Sequence, residues 1–322
     1  MSKVLLAHLA LFGLNVLYGA NHLFAKGVMP DYLGPNVFIL FRAFVTTILF
    51  VLIFLLFVRE KVERKDLFRL AFCGLFGVAL NQLFFFNGLE LTSAINVGII
   101  MTSTPILVVI LSYFLLKERI TQLKVIGVLI GAVGAIALTV AGRIKGFDSS
   151  LGDLFVFINA SSFAVYLVLV KPLMSKYKPM TVITYNFMFG LLFIMAYPEV
   201  WFDLSIVNFE LFPQSIWLKI GFVIIGATFF TYLLNIFALK HVSPSVSGSY
   251  IYTQPVLVMF FTVFFAYLGW TENFVGAITF EKVAYMLMIF TGVYLISRSS
   301  YIERKRMKRI SKQQFISREE AT

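Results

Sequence analysis

Arg42 lies within the apolar run "FILFRAFVTTILF", where a charge is costly and marks a functional candidate. It sits roughly nine residues into that run, on the order of 13 Å deep at 1.5 Å per residue. A guanidinium at that depth suits a carboxylate or phosphate on a solute. It equally suits pairing with helix-end carbonyls, or snorkelling outward. Other polar residues recur at helical spacing. Asn15, Tyr18 and the pair Asn21 and His22 share one face. Such a stripe either lines a cavity or joins helices. His22 would titrate near neutral pH, unless it is a structural histidine. Asn81 and Gln82, Asn96 and Ser103, Tyr166 with Asn159 and Ser162, Tyr232, and Tyr250 with Gln254 complete the polar set inside apolar runs. They are candidate contacts for a small solute.

Several chemistries are missing from this set. No carboxylate falls deep in an apolar run, where a proton-coupled antiporter usually keeps one, and no Gly-x-x-x-x-Gly-Lys-Ser/Thr loop is present for ATP. No His, Cys or carboxylate cluster has metal-ligand spacing. No catalytic residue, metal ligand or cofactor is therefore assigned. The single cysteine, Cys73, excludes an internal disulfide and reads as a small buried hydrophobe.

The elements that must position these residues are membrane helices. The chain has 322 residues, 60% hydrophobic and 13% charged, too few charges for a soluble surface of that size. Runs of about 20 apolar residues are expected as ten spans, near 4–25, 33–57, 69–88, 94–116, 123–141, 151–170, 180–198, 216–238, 245–268 and 283–297. The first could be mistaken for a signal peptide, but it is long, carries Asn15, Asn21 and His22, and lacks a small-x-small cleavage site. With the N-terminus inside, 21 of the 27 Lys and Arg fall on the inner side and five on the outer, Arg42 being the remaining one. The positive-inside rule then puts both termini in the cytoplasm. Trp201, Trp217 and Trp270 fall near the outer interface. The net charge of +11 sits in inner segments and a basic tail, so it points to membrane lipids and not to nucleic acid.

Residues 83–108 and 233–258 align at an offset of 150 with seven identities, among them Gly98/Gly248 and Pro105/Pro255. An odd number of spans per half inverts the second half, and the inner basic residues after the first proline are missing after the second, as inversion demands. The halves are expected at 1–145 and 146–298, with a basic cytoplasmic tail at 299–322. Pro105 and Pro255 would leave the carbonyls of Met101 and Ile251 without helical partners. Paired broken helices point to a midplane transport site, although a purely structural kink is the alternative. Gly127, Gly131 and Gly134 read as close-packing positions.

The segments "VLYGANHLFAK", "FILFRAF", "TSAINVGIIMTSTPILVVILSYFLLKERIT" and "LGDLFVFINASSFAVYLVL", in this order and spacing, resemble the EamA-like branch of the drug/metabolite transporter superfamily. Tyr18-Gly19 stands where that family commonly carries Trp-Gly. The resemblance covers about residues 4–298. It implies an all-α integral membrane protein of the cytoplasmic membrane, with ten spans in two inverted five-helix repeats. It implies a non-enzymatic secondary transporter of a small metabolite, an amino acid or related solute, with export as the direction. A lipid flippase component or a non-transporting assembly subunit is the alternative. Substrate identity, coupling ion and oligomeric state are left open.

Overall fold

A computed structural model describes residues 2–29, 31–92, 94–141, 149–268 and 280–319. Among the described residues the regular structure is helical throughout. The first half comprises α1 (Lys3–Lys26), α2 (Pro35–Ile53), α3 (Arg64–Gly74), α4 (Leu80–Leu91), α5 (Ala94–Met101), α6 (Ser103–Leu116) and α7 (Gln122–Ala141). The second comprises α8 (Ser150–Lys176), α9 (Pro179–Met195), α10 (Pro198–Ser205), α11 (Gln214–Ile224), α12 (Thr231–His241), α13 (Pro244–Ser249), α14 (Gln254–Tyr267) and α15 (Phe280–Glu319). Each expected span overlaps helix, although 94–116 and 245–268 are broken and the apolar helix Gln122–Leu138 is shorter than the others. Among the described residues eight helices are long and apolar enough to cross a membrane, and α9 with α10 makes a ninth if that bent pair counts as one span.

Local sequence explains many of the ends. Pro35, Pro179, Pro198 and Pro244 each open a helix, where the missing N–H costs nothing. Ser149 and Ser243 cap α8 and α13, accepting from the N–H of Gly152 and Val246. Lys117 ends α6 in the left-handed conformation at φ 55°, a helix stop usually filled by glycine.

Irregular turns interrupt the helices at related places in the two halves. π turns join α3 to α4 at Leu75–Ala79 and α11 to α12 at Ile225–Phe230. They lie at the 150-residue offset of the sequence repeat. The α5–α6 break falls at Thr102, and a 3₁₀ turn at Tyr250–Thr253 separates α13 from α14. Each break precedes its proline. Pro105 and Pro255 therefore sit in the first turn of the following helix, where proline is tolerated. Thr102 and Thr253 hydroxyls donate to the carbonyls of Ile99 and Tyr250, both at 2.6 Å.

Packing crosses between the halves: α4 runs along α8, α1 along α12, α2 along α9, and α7 along α15. The α7–α15 contact is close because glycines face each other. A Cβ on Gly292 would lie 2.6 Å from the Gly127 carbonyl oxygen. Leu9, Phe57, Phe114, Leu129 and Leu192 stand exposed on the outside, the surface that hydrocarbon requires.

The expected outer connection after residue 198 is partly helical. α10 bends 71° from α9, exposing Trp201 and Phe202 in the manner of an interfacial helix. Its Asp203 accepts from Asn36 at 2.9 Å, and Asn36 accepts from Asn87 at 3.0 Å. On the opposite side the α2–α3 connection is tied to the α8–α9 turn. Lys176 contacts Glu63 at 2.7 Å, and Lys176 and Lys65 hold the Glu63 carboxyl below the usual carboxylate range. Glu60 accepts from Thr181 Oγ1 at 2.5 Å. The tail differs from an irregular end: α15 continues to Glu319, because residues 299–319 hold good helix formers and neither Pro nor Gly. Cys73 is buried. Trp270, Arg143 and Lys145 lie outside the described residues, as does the side chain of His22.

Candidate functional site

A cavity of about 90 Å³ opens where the two breaks approach α1, roomy enough for several waters. Helix α1 contributes Leu11, Asn15, Tyr18 and Asn21 on the face that their spacing defines. Arg42 enters from α2, and Asn81, Phe85 and Phe86 from α4. Asn159 and Phe163 come from α8, with Asn235 and Ser247 from α12 and α13. Met101, Ile251 and Gln254 bring both breaks to the wall. Met101 and Ile251 stand four residues before the two prolines, but the expected loss of a partner does not hold at Ile251, whose carbonyl accepts from the Gln254 N–H in the 3₁₀ turn.

Arg42 is 3% exposed and forms no ion pair among the described residues. Its Nε donates to Thr228 Oγ1 at 2.9 Å. The Thr228 hydroxyl in turn donates to the Val223 carbonyl at 2.9 Å, so the second π turn aims this side chain. The guanidinium carbon lies 4.7 Å from the Phe86 ring centroid and 5.5 Å from that of Phe38, a cation–π arrangement. Arg42 Nη1 is buried without a hydrogen-bond partner.

The asparagines have one end fixed. Asn15 Nδ2 donates to the Leu11 carbonyl at 2.7 Å, and Asn159 Nδ2 donates to the Asn81 carbonyl at 2.6 Å. Each amide oxygen is then the free end, and Asn15 Oδ1, Asn21 Oδ1 and Asn159 Oδ1 are buried without donors. Asn235 Oδ1 accepts from Ser247 Oγ at 2.9 Å, joining α12 to α13 at the wall.

Of the sequence-predicted residues, Asn15, Tyr18, Asn21, Arg42, Asn81, Asn159 and Gln254 line the cavity. The others among the described side chains stand elsewhere. Gln82 is buried away from the wall. Tyr232 OH donates to the Gly77 carbonyl at 3.0 Å, and the Tyr166 ring packs on Gly77; both tyrosines serve the first π turn. Asn96 donates to Asp153 at 3.1 Å, tying α5 to the start of α8. Tyr250 OH meets His8 Nδ1 at 2.8 Å. Ser103 and Pro105 lie beyond the break on α6 and Pro255 on α14, all outside the lining. Asn235, Ser247 and the aromatic wall are additions. The signal for Asn235 was available: it is an amide in an apolar run, a candidate by position alone. Among the described residues no His, Cys, Asp or Glu group has the geometry to hold a metal ion.

Apolar helices around a polar cavity with a buried cation, at two broken helices, define a multi-pass membrane protein of transporter type. The model of the EamA-like transporter family matches residues 5–140 and 150–298. The chain belongs to that family, within the drug/metabolite transporters. It is 26% identical over 262 residues to the uncharacterized transporter YyaM of Bacillus subtilis, covering 80% of this chain and 85% of that protein. It is also 26% identical over 274 residues to an uncharacterized transporter of Archaeoglobus fulgidus, covering 83% and 90%. A solved crystal structure superposes with a TM-score of 0.70 at 19% identity, covering 92% of this chain and 97% of the other, a likeness of fold.

Proposed function

We propose that the chain is a secondary transporter that moves a small metabolite, an amino acid or related solute, by alternating access. Export is the direction that the family resemblance favours. Ten spans form two inverted five-helix halves in the cytoplasmic membrane, with both termini inside. The observation that carries this reading is the meeting of Met101 and Ile251 at one cavity. Broken backbone is tolerated at membrane depth only where protein or a cavity surrounds it, and breaks at corresponding positions of two halves mark a midplane site. The π turns 150 residues apart and the crossed packing of α1 on α12 and α4 on α8 support the inversion. Rocking one half against the other would expose the cavity to each side in turn. Among the described residues the cavity wall carries no Asp or Glu, which favours flux driven by the solute's own gradient.

Proteoliposomes loaded with labelled amino acids, sugar phosphates and neutral solutes test the reading. Saturable efflux of one class is expected. Folded protein that moves none of them, but flips a labelled lipid, would replace transport with the flippase reading.

A further inference from the structure

Helix α15 is long and apolar enough to cross a membrane over Phe280–Glu303, and it continues as helix to Glu319. Residues 304–312 carry six Lys and Arg, and no Asp or Glu occurs between Glu303 and Glu319. At 1.5 Å per residue, 304–309 rise only about 9 Å beyond Glu303. Five of the six cations therefore leave the membrane within roughly one Debye length of its surface.

The tertiary structure pins the base of this segment and adds charge beside it. Glu303 contacts Lys124 at 3.6 Å, and Lys124 donates to the Arg119 carbonyl at 3.0 Å. One turn earlier on α15, Ser299 meets Thr121 at 2.5 Å and Ser300 meets Ser243 at 3.3 Å. The α6–α7 connection is thereby held against the helix exit, with its Lys117 and Arg119 exposed. The acid between those two, Glu118, is taken up by Lys124 and Ser245. Arg298 and Lys305 are exposed as well. Among these cations stand exposed apolar side chains, Ile120, Tyr301 and Ile302.

A charge run by itself is a solvated end. Cations interleaved with exposed apolar groups, at the end of a membrane span, match a phospholipid instead, because its phosphate and its acyl chains meet at that depth. A free phosphate would gain nothing from the apolar groups, and a zwitterionic headgroup cancels its own charge.

We propose that the base of α15 and the α6–α7 connection form a docking site for anionic phospholipid headgroups. Arg119, Arg298 and the cations of 304–309 supply the charge, and Ile120, Tyr301 and Ile302 meet the acyl chains. The assignment requires only that α15 crosses the bilayer. It is independent of what the cavity carries and of which way the chain is inserted.

The test uses full-length protein purified in detergent and stripped of lipid. Its melting temperature is measured against added phosphatidylglycerol, phosphatidylcholine and glycerol 3-phosphate. Each titration is run in low salt and in ~1 M NaCl, where the Debye length shrinks to about 3 Å. A ligand that binds only the folded state raises the melting temperature. Phosphatidylglycerol is expected to stabilise, with most of the shift lost in high salt, and the other two to do little. In Lys305→Gln the phosphatidylglycerol concentration that gives half the shift should rise about fivefold. Combining Arg304→Gln, Lys305→Gln, Arg306→Gln, Lys308→Gln and Arg309→Gln, which keeps good helix formers, should raise it more than about a hundredfold. An equal response to phosphatidylcholine overturns the proposal. So does an equal response to glycerol 3-phosphate, which would make this a site for free phosphate esters. A phosphatidylglycerol response that survives the combined variant puts the lipid elsewhere and overturns it too, as does no response in the wild type. The wild-type panel and its salt dependence decide even if the combined variant does not fold.

Discussion

Among the described residues two cations are almost wholly buried, and they are treated in opposite ways. Lys124, 1% exposed, contacts Glu118 at 3.2 Å and Glu303 at 3.6 Å and donates to the Arg119 carbonyl at 3.0 Å. Ser245 Oγ donates to the same Glu118 carboxylate at 2.8 Å. That cluster ties the α6–α7 connection to α13 and α15. Arg42, 3% exposed, has no carboxylate within reach among the described residues and stands at a cavity. The first cation is satisfied by the fold, whereas the second is left incomplete by it. Burial alone therefore says little about function; what separates the two sites is whether the charge has been answered.

Breaking each site should give opposite phenotypes. The largest effect expected is on flux through Arg42→Met, which should abolish saturable efflux in proteoliposomes. Thermal unfolding in detergent should be unchanged or shifted upward, because an uncompensated buried charge is replaced by an apolar chain. A large fall in stability would place Arg42 with Lys124 as a structural residue. Next comes Glu118→Gln, which leaves Lys124 with one distant carboxylate. Removing one partner of a buried pair costs about 3 kcal/mol, read as a lower melting temperature. Any protein that folds should keep its solute affinity. Thr228→Val sharpens the comparison at the cavity by freeing Arg42 Nε, with a loss of about 1.5 kcal/mol in solute binding measured by efflux kinetics. The smallest effect is Ser245→Ala, which removes a neutral donor from Glu118. About 1 kcal/mol of stability should go, with flux intact.

Legibility of the site in the sequence differs along the chain. On α1 the sequence spacing was sufficient, since Asn15, Tyr18 and Asn21 all reach the wall along an unbroken helix whose face follows from the 3.6-residue period. Past the π turns the same method fails. Each π turn inserts a residue and rotates the rest of its helix by about 100°. Asn81 faces the cavity while its neighbour Gln82 does not, and Asn235 rather than Tyr232 lines the wall. No propensity in "GLFGVALNQ" or "IIGATFFTY" announces a π turn. The freed carbonyls of Phe76 and Gly77 are met by Ser162 and Tyr232, side chains from other helices.

The sequence by itself determined that the chain is a bundle of membrane helices, that two proline breaks recur 150 residues apart, and that one arginine lies at depth. These follow from composition, period and the cost of charge in hydrocarbon, which are local properties. Only the tertiary structure decided that both breaks and Arg42 meet at one cavity, and that Asn96, Tyr166 and Tyr232 hold other helices in place instead. Those outcomes depend on which helix supplies each missing hydrogen-bond partner, and that is set by packing between segments far apart in the chain.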